Sequence, residues 1–166
     1  MRSESLDAIG PANLILRVEF VWRGDRYGHV ISAVIGGQTE LLLESLEGTP
    51  ADDWPPSPPL QSLHRERLPD GRTALLLVGA AGRSHWSASV EALAEPRLIF
   101  DIACRHSGRP LWLGSQYQRA PAALNRLAIQ PDNAGIEGHE QQVRIGPSAP
   151  PATATSRWRF SLRLNP

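Results

Sequence analysis

Hydrophobic and polar residues alternate with a period of two along most of the chain, and glycine, proline and aspartate interrupt the alternation at short intervals. This period places one face of a β-strand against a core and the other face toward solvent. The pattern therefore predicts an all-β protein of about nine or ten strands joined mostly by tight hairpins. The predicted strands cover residues 13–23, 26–35, 38–46, 60–68, 73–78, 85–92, 98–105, 110–118, 142–145 and 157–164.

Two hairpins can be predicted together with their register. A turn at Gly24-Asp25 between two alternating runs pairs Trp22 with Tyr27, and a bulge at Gly28 would reverse the facing of the residues after it. The second hairpin follows from matching the apolar faces of residues 86–92 and 98–105. Its predicted cross-strand pairs are Val90–Phe100, Ala88–Ile102, Trp86–Cys104, Ser89–Asp101 and His85–Arg105.

Three segments depart from simple alternation. Residues 73–78 are almost continuously apolar, which predicts a strand buried on both faces. Residues 48–59 contain five prolines and predict an extended crossing that Trp54 packs against the body of the protein. Residues 119–152 are irregular, with a short helical turn at 122–127 and the strand at 142–145 as the only predicted elements.

The two irregular passages indicate where the chain changes from one sheet to another. We therefore expect a single domain over residues 1–166 that folds as an antiparallel two-sheet β-sandwich. An up-and-down β-barrel is the alternative, because its strands would show the same alternation. A chain of 166 residues is long enough to bury a sizeable core.

The amino-acid composition excludes several classes of function but does not indicate a particular one. The 17 basic residues, all of them arginine, balance 17 acidic residues, which argues against binding to nucleic acid or to a membrane surface. The absence of lysine excludes Schiff-base and Walker-lysine chemistry. The single cysteine, Cys104, excludes an internal disulfide. Because no signal peptide or apolar membrane span is visible, we expect a bacterial cytoplasmic protein.

No motif in the sequence predicts catalysis or a cofactor. The face shared by His85, Ser87, Ser89 and Asp101 has the residue types of a hydrolase, but adjacent positions on one strand face are about 7 Å apart, too far for a direct hydrogen bond. The five histidines lack the close paired spacing of a zinc motif, so no metal site is expected.

Five residues are the candidates for binding. Trp54 and Trp112 fall outside the core phase and could offer an aromatic platform to a carbohydrate. Arg157, Arg159 and Arg163 project from one face of the last strand and could bind carboxylates or phosphates.

These observations favour a non-catalytic module that acts through protein–protein contact, with another protein or a second copy of the chain as partner. A small-ligand or carbohydrate-binding domain is the alternative, and a hydrolase using the His85 face is a remote one.

Overall fold

Two antiparallel sheets face each other in the computed structural model, which describes residues 2–151 and 154–165. The seven-stranded sheet has the order β1-β2-β3-β4-β9-β12-β11. It contains β1 (Ser3–Ile9), β2 (Ile15–Trp22), β3 (Tyr27–Ile35), β4 (Gln38–Ser45), β9 (Ser115–Arg119), β11 (Gly135–Gly138) and β12 (Gln142–Gly146).

The six-stranded sheet has the order β10-β13-β8-β7-β6-β5. It contains β5 (Leu60–Arg67), β6 (Thr73–Ala81), β7 (Ser84–Ala92), β8 (Arg97–Arg105), β10 (Leu127–Pro131) and β13 (Thr155–Leu164). Helical structure in the described residues is limited to a 3₁₀ turn at Pro11–Asn13 and the helical turn α1 at Ala123–Arg126. The sheets do not close into a barrel, so the predicted β-sandwich is confirmed.

The chain forms more strands than its pattern predicts. Strands β1, β10 and β11 were not predicted, and the predicted strand at 110–118 begins only at Ser115. The prediction of a loop at residues 129–141 is therefore wrong. The predicted helical turn near 122–127 and the predicted strand near 142–145 are confirmed. The two ends of the predicted domain, residues 1 and 166, lie outside the described residues. The same holds for residue 152, the predicted end of the irregular segment.

Both predicted hairpin registers are confirmed. Trp22 pairs with Tyr27 between β2 and β3. The pairing stays regular past Gly28, so the bulge expected there is wrong. A register shift occurs instead between Ile31 and Ser32, where β3 pairs with β4. The predicted pairs between β7 and β8 all occur in the structure, including Val90–Phe100, Trp86–Cys104 and Ser89–Asp101.

The core lies between the two sheets and is filled from the inward positions of both. Phe100 and Phe160 stack with their ring centroids 5.0 Å apart and their planes within 2° of each other. Trp158, also fully buried, donates its indole N–H to Ser115 Oγ across the sandwich at 3.2 Å. A buried Trp indole generally needs such a partner, and this bond joins β13 to β9 in the opposite sheet.

Strand β6 corrects one prediction. Leu75 and Leu77 are buried, but Leu76 is 40% exposed and Val78 is 54% exposed. The expectation that residues 73–78 are buried on both faces is therefore wrong. A sandwich has a single core layer, so a strand inside one of its sheets has only one covered face unless another element packs on its outside.

The proline-rich crossing at 48–59 runs from β4 in one sheet to β5 in the other, as predicted. The side chain of Ser57 makes the two hydrogen bonds to β9 that a neighbouring strand would make. Its Oγ donates to the carbonyl of Gln116 and accepts from the backbone N–H of Gln116, both at 3.1 Å. Trp54 packs edge-on against Trp86 at 6.2 Å between ring centroids. The crossing is therefore fixed to both sheets.

Candidate functional site

An open groove of about 610 Å³ lies on the outward face of the six-stranded sheet, where β5, β6, β7, β8 and β13 run side by side. Pairing between strands explains its shape. Val78 lies opposite Ser87, and Ser87 lies opposite Ala103, so one large apolar side chain stands beside two small ones. The row next to it pairs Ala80 with His85 and His85 with Arg105. Small residues thus form the floor of the groove, and Val78, His85 and Arg105 form its walls.

The apolar rim of the groove is well exposed. Val78 lines the groove, and Leu76 projects outward two residues earlier on β6, outside the groove lining. Single exposed apolar residues are common on soluble proteins, but two on one strand beside a concave surface are a feature of binding sites. The volume of the groove is also within the range of ligand-binding clefts.

The same sheet face carries an excess of positive charge. The outward positions of β8 and β13 hold five arginines and one acidic residue, Asp101. The arginines are Arg97, Arg105, Arg157, Arg159 and Arg163. The chain as a whole has no net charge, so the positive charge is concentrated on this face.

Two of these five arginines are paired within the chain. Arg157 binds both carboxylate oxygens of Asp101, at 2.7 and 2.5 Å, and Arg159 reaches Asp132 at 3.3 Å. No carboxylate among residues 2–151 and 154–165 forms an ion pair with the other three. Of the three arginines predicted as candidates, only Arg163 forms no ion pair within the described residues. Arg97 and Arg105 on the neighbouring strand β8 share this property.

The two candidate tryptophans take separate positions in the fold. Trp54 packs against Trp86, whereas Trp112 donates its indole N–H to the carbonyl of Pro56 at 3.0 Å. The guanidinium of Arg144 lies 5.4 Å from the centre of the Trp112 ring. Each indole is half-buried and has its own partner, so the structure gives both a packing role on the proline-rich crossing.

The outward face of the six-stranded sheet does not bring Asp101 to His85. Asp101 lies opposite Ser89, four residues along the strands from the His85–Arg105 pair, and Arg157 binds its carboxylate. A catalytic triad requires the acid to orient the imidazole. In this structure the acid orients a guanidinium instead.

A buried polar cluster, which the sequence pattern did not single out, lies at one end of the seven-stranded sheet. Ser45 Oγ accepts the backbone N–H of His29 at 2.7 Å and donates to Glu47 at 2.6 Å. His29 Nε2 lies 3.0 Å from the hydroxyl of Tyr117. Burial lowers the pKa of His29 to about 3 and raises the pKa of Glu47 to about 7, while the Ser45 hydrogen bond and the nearby charge of Arg26 partly oppose the rise at Glu47.

The members of this cluster are held by contacts with one another and with the aromatic core. His29 is neutral because it is desolvated, and its ring contacts both Phe20 and Phe100. Arg26 is buried and donates two bonds to Asp25, at 2.8 and 2.7 Å. The inward phase of His29 and Ser45 on their strands was the only sequence signal for the cluster.

Among residues 2–151 and 154–165, no group of three or more His, Cys, Asp or Glu side chains is arranged to hold a metal ion. Within the same residues, neither helical turn has the length and apolar character that crossing a membrane requires. No protein-family model matches the chain, and no curated protein is significantly similar to it.

Proposed function

We propose that this protein is a non-catalytic binding module that acts through protein–protein contact at the outward face of its six-stranded sheet. The observation that carries the proposal is the exposure of Val78 in the groove and of Leu76 beside the groove, together with Arg105, which forms no ion pair among the described residues. The expected partner surface combines apolar side chains with carboxylates.

The chemistry of the groove matches that of protein interfaces. Burying apolar surface such as that of Val78 contributes about 25 cal/mol for each Å² removed from water. Arginine is enriched at interface centres because its planar fork can bind a carboxylate through two hydrogen bonds. Arg105 has its fork available for such a bond, whereas Arg157 is already occupied by Asp101.

Charge favours a different protein over a second copy of the chain as partner. A symmetric dimer formed through this face would bring the arginines of β8 and β13 close to their own counterparts. Like charges placed together across an interface cost several kcal/mol. An acidic partner would instead be attracted by the same arginines, and its binding would weaken as salt is added.

Site-specific photocrosslinking in the native cells tests the proposal. A photoreactive phenylalanine derivative replaces Val78 in one variant. In the control it replaces Leu41, which is 45% exposed on the seven-stranded sheet. We expect a discrete adduct with one protein from position 78, and no such adduct from position 41. The adduct protein should expose acidic residues, and its yield should fall at high salt.

Absence of an adduct at position 78, or the same adduct from both positions, would contradict a contact at this face. An adduct whose mass is twice that of the chain would show a homodimer instead. A bacterial cytoplasmic location belongs to the same proposal, and the fully buried single cysteine is compatible with it.

A small apolar ligand is the second candidate for the groove, because the groove volume of about 610 Å³ could hold one. A ligand bound in the groove should raise the thermal unfolding midpoint of the protein. The ligand hypothesis requires that a screen of sugars, lipids and nucleotides produces such an increase, and that Ser87→Trp, which fills the groove floor, abolishes it.

A further inference from the structure

Two arginines face each other directly across neighbouring strands at one end of the six-stranded sheet. Arg97 on β8 pairs with Arg163 on β13, and both project outward because Leu98, Leu162 and Leu164 beside them are buried. Within the described residues, neither arginine forms an ion pair with a carboxylate, and the Nε of each is buried without a hydrogen-bond partner. Arg97 donates a hydrogen bond from Nη2 to the side-chain carbonyl oxygen of Gln130 at 2.7 Å.

This arrangement is unfavourable for the isolated protein. Like charges directly opposite each other on paired strands are destabilising. A buried guanidinium N–H without an acceptor adds the cost of its lost hydration. Elsewhere the chain follows the opposite rule, since Asp101 and Asp132 neutralise Arg157 and Arg159. An unfavourable pair of like charges that no described carboxylate neutralises is expected where a ligand supplies the missing interaction.

A small cleft lies on the Arg97 side of the pair, and Arg163 is not one of its lining residues. The cleft has a volume of about 260 Å³, and Arg97, Arg159, Gln130 and Ser161 contribute polar groups to its lining. Asp132 also lines it, but its carboxylate already contacts Arg159 at 3.3 Å. The cleft therefore combines guanidinium, amide and hydroxyl groups, all of which can donate hydrogen bonds to an anion.

We propose that Arg97 and Arg163 form a binding site for a doubly charged oxyanion of the phosphate type, either free or as a phosphate monoester. Two adjacent guanidinium groups match the charge and the multiple acceptor oxygens of such a group better than those of a single carboxylate. The site lies at the β10 side of the sheet, away from the groove at Val78 and Arg105. It goes beyond the proposed protein contact and does not depend on it.

Calorimetric titration of the full chain with inorganic phosphate tests the site, with sodium chloride at equal ionic strength as the reference. A second titration uses phenyl phosphate. Tighter binding of this monoester would indicate a phosphorylated molecule as the ligand, whereas tighter binding of inorganic phosphate would indicate the free ion. We expect saturable 1:1 binding. Arg97→Gln and Arg163→Gln should each weaken it by at least about ten-fold, the usual effect of losing one charge-assisted hydrogen bond.

Arg83→Gln is the matched control, because Arg83 is an exposed arginine in the turn between β6 and β7. It should leave phosphate affinity unchanged. Arg163→Gln should also raise the unfolding midpoint in phosphate-free buffer, since it removes the like-charge repulsion, and this readout stands even if Arg97→Gln folds poorly.

Equal phosphate affinity in the wild type and Arg163→Gln would overturn the proposal. So would an absence of 1:1 binding, or a lower midpoint for Arg163→Gln in phosphate-free buffer. These results are independent of crosslinking at position 78, so failure of the anion site and failure of the protein contact can be told apart.

Discussion

At the scale of single residues, Phe100 and Asp101 are sequence neighbours with opposite environments. Phe100 is 1% exposed and stacks between Phe160 and His29, whereas Asp101 lies on the outer face in an ion pair with Arg157, whose side chain is 64% exposed. We expect Phe100→Ala to lower the free energy of unfolding by about 3–5 kcal/mol, the usual cost of removing a buried aromatic ring. Asp101→Ala should cost within about 1 kcal/mol, because an ion pair at the surface with a largely exposed arginine contributes little.

Urea unfolding midpoints measured in one buffer provide the comparison between these two variants. A larger loss for Asp101→Ala than for Phe100→Ala would mean that the two faces of β8 are reversed.

Cys104 is fully buried opposite Trp86, and desolvation raises the pKa of its thiol to about 12. The thiolate is the reactive form, so the native protein should not react with an aromatic disulfide reagent at pH 8. The same reagent should modify one thiol per chain after unfolding in urea. Rapid modification of the native protein, followed by absorbance, would contradict the burial of this residue.

Glu47 and His29 give opposite contributions to the pH dependence of stability. Between about pH 4.5 and 7 the folded protein keeps a proton on Glu47 that the unfolded chain releases, so the contribution of Glu47 falls as pH rises. Between about pH 3 and 6.5 the unfolded chain binds a proton at His29 that the folded protein does not, so this contribution rises with pH.

Glu47→Gln isolates the first contribution while keeping an acceptor for the hydroxyl of Ser45. We expect the free energy of unfolding of the wild type, relative to this variant, to decrease from pH 4.5 to 7 and then to level off. Glu44→Gln, at an exposed position on β4, controls for the loss of one negative charge. A difference between wild type and Glu47→Gln that is constant with pH would show that Glu47 is not protonated by burial.

At the scale of elements, the strands that sequence predicts best are those with long alternation on one buried face. The β7–β8 hairpin has complete alternation on both strands, and its register follows from matching the two apolar faces. Strand β1 has only Leu6 and Ala8 buried, so its existence depends on pairing with β2 and on contacts such as Arg65 Nε with Glu4 at 2.6 Å. Such tertiary contacts leave no periodic signal in a sequence.

The pairing of β5 with β6 depends on Gly79. A Cβ at this position would lie 1.8 Å from the carbonyl oxygen of Pro59, which is backbone and cannot rotate away. We expect Gly79→Ala to destabilise the protein by about 1–3 kcal/mol or more, as overpacking does. Gly135→Ala is the matched control because its Cβ would have no neighbour closer than 3.8 Å. Equal urea midpoints for the two variants would contradict the close approach of the crossing to β6.

At the scale of the whole molecule, the sequence predicts the sandwich and the changes of sheet but only part of the candidate site. The outward phase of the arginines on β13 is visible in the alternation, so Arg157, Arg159 and Arg163 could be selected as candidates. The neutralisation of Arg157 by Asp101 and the opposition of Arg97 to Arg163 depend on which strands become neighbours. The groove likewise depends on three neighbouring strands that place small residues side by side. Val78 is exposed because none of the described elements packs on the outside of β6.

Whether the outward face of the six-stranded sheet is the binding surface can be measured with the partner that is recovered by crosslinking at position 78. The dissociation constant of this partner would be measured for the wild type, for Arg105→Gln at the groove and for Arg23→Gln at the β2–β3 hairpin of the other sheet. We predict binding at least about ten-fold weaker for Arg105→Gln, the loss expected when a charged hydrogen-bonded contact is truncated, and within about two-fold of wild type for Arg23→Gln. Equal dissociation constants for wild type and Arg105→Gln would show that the partner does not bind at this face.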